Sequence, residues 1–82
     1  MLRIKDKVNL DELRVFGFVY DAKIFKYKQK SILPSITILD EKHWGPINRT
    51  ICNVWGDADI DILFDLMKSG LVEKFNPKKK GE

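Results

Sequence analysis

Phe18-Val19-Tyr20-Asp21-Ala22-Lys23-Ile24-Phe25-Lys26-Tyr27 is the stretch that decides how this chain folds. Aromatic and β-branched residues pack well on a pleated surface, so residues 18–20 and 23–27 both read as strands. Asp21-Ala22 between them is a bend, a bulge or a hairpin tip. Further along, residues 31–39 alternate through Ile32, Pro34, Ile36 and Ile38, with Ser35 and Thr37 on the other face. Pro34 lacks an N–H donor, which suits an edge or a strand start. Residues 40–46 form a loop, and residues 47–55 read as another strand that ends on Trp55, expected in the core. Residues 2–5 and 71–75 read as two further short strands.

Helices flank this block. In Val8-Asn9-Leu10-Asp11-Glu12-Leu13, Asn9 is a good N-cap and Glu12 completes a capping-box spacing. Val8 and Leu13 occupy the two positions of a hydrophobic staple, and Gly17 stands where a left-handed C-terminal cap belongs. The spacing predicts a helix over 10–16. A second helix, over 58–69, follows from Ile60, Leu63, Phe64 and Met67 at i, i+3, i+4 and i+7, an apolar stripe expected to face the core. Asp57 or Asp59 would cap its start, Lys68 lies in its last turn, and Gly70 ends it. The order β–α–β–β–β–α–β, with short turns between neighbours, predicts an α+β fold. Its architecture would be an antiparallel β-meander of three to five strands with two short helices packed on one face.

The chain has 82 residues, enough for one domain, which is assigned to residues 1–75 with a disordered basic tail over 76–82 that carries Lys78, Lys79 and Lys80. One cysteine, Cys52, cannot make an internal disulfide. The charged opening Met1-Leu2-Arg3-Ile4-Lys5-Asp6-Lys7 lacks the apolar run of a signal peptide, and no run reaches the ~18 residues of a membrane span. The expected location is the cytoplasm, with no membrane partner. The net charge of +3 comes mostly from the tail, since residues 1–74 carry 12 basic and 11 acidic side chains. Distribution says more than the sum. Lys23, Lys26, Lys28 and Lys30 face Asp21 alone over 21–30, and Asp57, Asp59, Asp61 and Asp65 cluster over 57–65. The body should be electrically polarised.

Catalytic patterns are missing. Asp57-Ala58-Asp59-Ile60-Asp61 opens like a calcium loop, but Ile62 stands where the turn glycine is needed and Lys68 where the bidentate glutamate is needed. Those aspartates are better read as a helix start. His43 and Cys52 are two soft ligands, and zinc needs three or four. A Cys–His nucleophilic pair would need a third, orienting group that the sequence does not mark. The five glycines are isolated and make no phosphate-binding loop. The expectation is a protein that is not an enzyme, with no catalytic residue, cofactor or metal.

Binding residues are easier to nominate. Lys23, Phe25, Lys26, Tyr27 and Lys28 interleave charge with rings, and Trp44 sits in a polar loop beside Gly45-Pro46. An exposed Trp is a natural anchor for a protein partner; folded back, it would be a lid on the core. Phe25 and Tyr27 would share one strand face, with Lys26 and Lys28 on the other, and such lysines also serve simply to keep an edge strand solvated. The alternative reading is a single-stranded nucleic-acid binder that uses residues 23–30 to contact phosphates and stack bases. Exposed strand edges would also allow a homodimer by edge pairing.

Two end segments carry a resemblance. Ile4-Lys5-Asp6-Lys7-Val8-Asn9-Leu10-Asp11-Glu12-Leu13, running into Phe16-Gly17-Phe18, and Ile62-Leu63-Phe64-Asp65-Leu66-Met67-Lys68-Ser69-Gly70-Leu71-Val72-Glu73-Lys74 resemble the ends of small phage and prophage proteins of Gram-positive bacteria. That group has no assigned activity, so no residue inherits a role from it. The resemblance implies an accessory protein of a mobile element that binds a host or phage protein, as anti-CRISPR and other inhibitors of host defence do. Residues 66–74 also resemble the recognition helix and wing of winged-helix regulators, but strands occupy the middle of this chain where that fold needs a third helix.

Overall fold

A computed structural model describes residues 1–31 and 35–76. Its strands are β1 (Leu2–Ile4), β2 (Phe18–Asp21), β3 (Lys26–Gln29), β4 (Thr37–Leu39), β5 (Ile51–Cys52) and β6 (Val72–Lys74). A 3-10 helix spans Leu10–Phe16, a shorter one spans Gly45–Ile47, and the α-helix α1 spans Asp57–Lys68. The fold is α+β. The order β2-β3-β4-β5 forms an antiparallel meander, and β1 pairs antiparallel with β6 in a separate ribbon. A bridge between Arg3 and Thr50, and a 2.9 Å hydrogen bond from Ile4 N–H to Arg49 C=O, join the ribbon to the segment leading into β5. The 3-10 helix leans on β2 and α1 leans on β6.

One core serves both sheets. Ile4, Val8, Leu10, Leu13, Phe18, Ile36, Ile38, Ile51 and Leu66 are buried together, with Tyr27, Ile62, Leu63 and Val72 among the half-buried residues around them. The staple residues Val8 and Leu13 thus reach the same cluster. Asn9 caps as expected, its side chain accepting the Asp11 N–H at 2.9 Å. The helix it starts has 3-10 rather than α geometry.

The strands expected over 23–27, 47–55 and 31–39 are shorter or shifted, the first two for a backbone reason. Asp21 closes the hairpin: its side chain accepts the Lys23 N–H at 2.9 Å and its C=O accepts the Ile24 N–H at 3.3 Å. Residues 22–25 are therefore turn, Phe25 adopts a left-handed φ of 56°, and β3 begins only at Lys26. Phe25 and Tyr27 consequently do not share a strand face. The strand expected over 47–55 shrinks to Ile51–Cys52, because Arg49 and Asn53 on either side take left-handed φ values of 66° and 59° that break the ladder. Of the strand expected over 31–39, Thr37–Leu39 is paired, while Ile32 and Pro34 lie outside the described residues. The same holds for all of the basic tail except Asn76. Among the described residues, no helix is long and apolar enough to cross a membrane.

Gly17 shows how closely the first turn is specified. Its φ of 89° is left-handed, its N–H returns to Arg14 C=O at 3.0 Å, and a Cβ there would lie 2.9 Å from Gln29 Oε1. Gln29 could swing away only by giving up its 2.8 Å hydrogen bond to Phe16 C=O. Gly17→Ala is expected to cost about 1–2 kcal/mol, mostly from the left-handed backbone. For a domain this small, thermal unfolding should show a Tm lower by roughly 4–16 °C.

Candidate functional site

The residues nominated from sequence are divided between two environments. At the hairpin tip, the Phe25 ring stacks on His43 with centroids 4.0 Å apart. The Trp44 indole N–H donates to Phe25 C=O at 2.8 Å, and Lys26 Nζ lies 5.3 Å from the Trp44 ring. Trp44 is thus folded back onto the hairpin tip and half-buried, and it is not among the residues packed on the core cluster. Phe25, Lys26 and Trp44 come together. Tyr27 does not join them: its ring packs 5.1 Å from Tyr20, along a cleft of about 730 Å³ also lined by Leu10 and Asp40. Lys28 pairs with Asp21 at 3.1 Å, and Lys23 stays in the turn with its N–H on Asp21.

Asp40, at the start of the loop over residues 40–46, organises this side. It is buried and accepts the Tyr20 hydroxyl at 2.6 Å, the His43 N–H at 2.8 Å and has His43 Nδ1 at 2.7 Å. Burial works against its charge, but the hydrogen bonds from Tyr20 and His43 outweigh it and hold the carboxyl below its usual range. The same hydrogen bond, with burial adding to it, pushes the Tyr20 phenol up to about 12. An Asp–His pair of this kind can orient an imidazole for proton transfer. Cys52 has other partners: burial pushes its thiol up, and its sulfur lies 3.9 Å from Thr50 C=O. No described group of three or more His, Cys, Asp or Glu residues could hold a metal ion.

The second surface was not anticipated. The stripe expected to face the core was Ile60, Leu63, Phe64 and Met67. The residues that turn inward are instead Asp59 and Leu66, both buried, with Ile62 and Leu63 half-buried beside them. That set is displaced by one residue, about 100° of rotation around the helix axis. Left outside are Ile60 at 53%, Phe64 at 60% and Met67 at 51% exposure. Trp55, just ahead of the helix, is 78% exposed rather than in the core.

Asp59 is the cause. Asp59 is 2% exposed. Oδ1 accepts the N–H groups of Ser35 at 2.9 Å and Ile36 at 3.3 Å, and Oδ2 accepts Ser35 Oγ at 2.8 Å and Trp55 N–H at 3.0 Å. Burial opposes ionisation here too, yet the hydrogen bonds from Trp55, Ser35 and Ile36 prevail and lower its pKa. The helix start itself is Gly56, with no side-chain cap, so neither Asp57 nor Asp59 fills the capping place expected of them. The outward face was nonetheless written in the sequence. Ile60, Ile62, Leu63, Phe64, Leu66 and Met67 cover an arc of about 200°, about twice what one buried stripe requires.

No family model, curated protein or solved structure matches this chain.

Removing Asp59 should therefore be severe. Asp59→Ala strips partners from three backbone N–H groups and is expected to cost about 2–4 kcal/mol, read as a loss in urea-unfolding free energy. Asp59→Asn, which keeps the shape and part of the acceptor capacity, should cost less. Folding lowers the pKa of both Asp40 and Asp59, so the unfolded chain binds their protons more tightly. Their stabilisation is expected to be complete above pH ~4 and to drain as pH falls through the lowered folded values. Asp59→Asn should flatten part of that acid limb in a denaturation series. An unchanged limb would mean that Asp59 does not carry it.

Proposed function

We propose that this chain is a non-enzymatic protein-binding module whose contact surface is the outer face of α1. The observation that supports this is the exposure of Ile60, Phe64 and Met67 at i, i+4 and i+7 on a helix whose opposite side is already buried. Large apolar side chains aligned on one face and left in water mark a surface that another molecule covers. Trp55, exposed just ahead of the helix, is the residue type most enriched at interface hot spots. The spacing is the one by which a helix reads an apolar groove or a second helix.

The hairpin tip is the weaker surface. Phe25, Trp44 and Lys26 spend their rings and charge on each other and on His43, and Lys28 is engaged by Asp21. For the same reason the nucleic-acid alternative over residues 23–30 has less to offer a base or a phosphate. Edge pairing into a homodimer would fall to β2, since β5, the other outer strand of the meander, has two residues. A host or phage protein as the partner, and inhibition of host defence as the outcome, rest on the resemblance of the chain ends alone.

Affinity capture from bacterial lysate, with and without nuclease, tests the proposal by comparing wild type with an Ile60→Asp/Phe64→Asp variant. Both side chains are exposed, so the variant should keep its Tm within a few degrees. One stoichiometric protein that survives nuclease and is lost with the variant is expected. A broad set of partners that disappears with nuclease would replace this reading with nucleic-acid binding, and a partner kept by the variant would move the surface elsewhere.

A further inference from the structure

Along the exposed stripe of α1 runs a second row. Asp57, Asp61 and Asp65 recur every four residues, all three exposed, on the side of the stripe next to Phe64. Each step of four residues turns the helix by about 40°, which keeps the three carboxylates on one flank. Among the described residues none of them takes part in an ion pair. Lys68 is the one basic residue in the helix, and its Nζ lies 5.8 Å from the centroid of the Phe64 ring. The face therefore combines a strip of apolar anchors with an unneutralised acidic rail and a ring that already holds a cation.

Resting on the protein-binding reading above, we infer that the occupant of this face is a basic amphipathic segment of another protein. Its apolar residues cover Ile60, Phe64 and Met67, and its Lys or Arg side chains lie along Asp57, Asp61 and Asp65. Charge complementarity selects this occupant over the others. A second copy packed antiparallel on the stripe would bring two acidic rails together, a juxtaposition that costs binding energy, and one packed parallel would set each rail against a helix flank with no basic residue. The chain's own lysine-rich end, Pro77-Lys78-Lys79-Lys80-Gly81-Glu82, has the charge but no large apolar side chain to fill the stripe. An anionic membrane surface would be repelled by the same carboxylates.

The test uses the full-length chain and three synthetic peptides. The first is an 18-residue amphipathic helix of Leu and Lys; the second has the same composition in scrambled order; the third has the first pattern with Glu in place of Lys. Amide chemical shifts locate the contact, and calorimetric titration measures it. The Leu/Lys helix is expected to shift amides across residues 55–68 and to bind at least about tenfold more tightly than either control. Asp61→Lys/Asp65→Lys should lower that affinity by about tenfold, and Phe64→Asp should abolish it. Equal binding of the Leu/Glu helix would overturn the charge assignment while leaving the apolar face as the interface. Equal binding of the scrambled peptide, or binding that survives Phe64→Asp, would overturn both readings. Concentration-dependent sedimentation of the chain alone, lost with Phe64→Asp, would assign the face to a second copy and overturn the basic partner.

Discussion

The carboxylate of Asp59 is the constraint on which the rest of this structure depends. Ser35 and Ile36 lead into β4, and Trp55 leads into α1. Of the four hydrogen bonds to this side chain, the three from Ser35 and Ile36 tie points more than twenty residues apart in sequence, and the one from Trp55 is local. A buried carboxylate is expensive to desolvate unless donors surround it, and here they do. Its place in the first turn of α1 also sets it at the positive end of the helix dipole. Because the bonded carboxylate is on the helix and three of its four donors are on the segment entering β4, the rotation of α1 about its own axis is settled. Leu66, seven residues on, is then carried fully inward, and Ile60, Phe64 and Met67 are carried out. The interaction that seats the helix and the surface offered to a partner have a single origin.

Elsewhere the same economy recurs. Asp40 draws Tyr20 from β2 and His43 from the following loop onto one carboxylate, and Phe25 and Trp44 close over that loop. Arg49, buried and in a left-handed conformation, sends its guanidinium to the carbonyls of Lys5 and Val8, both at 2.7 Å, and to Glu41. A domain of this length buries too little apolar surface to define every loop by packing alone, and hydrogen-bonded charged groups supply the missing specificity. The carboxylates in these clusters are partnered from within. The outer face of α1 is not, and that contrast singles it out.

Much of the architecture was legible before any coordinates. Asn9, Val8, Leu13 and Gly17 each act locally, so their roles as cap, staple and left-handed stop could be read from spacing. The hairpin was legible too, because Phe18-Val19-Tyr20 and Lys26-Tyr27 carry strand composition on both sides of Asp21. Its exact turn was not: Asp21 takes two backbone N–H groups and so places Phe25 in the turn rather than on the strand. The charge polarity was visible as well, though its two halves fare differently, the lysines near the tip being partly engaged and Asp57, Asp61 and Asp65 of α1 remaining open.

The sequence by itself determined that two helices bracket an antiparallel run of strands, where each helix starts and stops to within one residue, and that α1 carries more apolar residues than one face can hide. Those properties depend on neighbours within a few positions, where backbone geometry and side-chain periodicity act directly. Only the tertiary structure decided which half of that apolar arc faces inward. The choice turns on donors from Ser35 and Ile36 that no periodicity can place beside Asp59, since a polar residue inside a helical pattern reads as solvent-facing until its partners are known. For the same reason Trp55 and Phe64 lie on the surface of this protein rather than inside it.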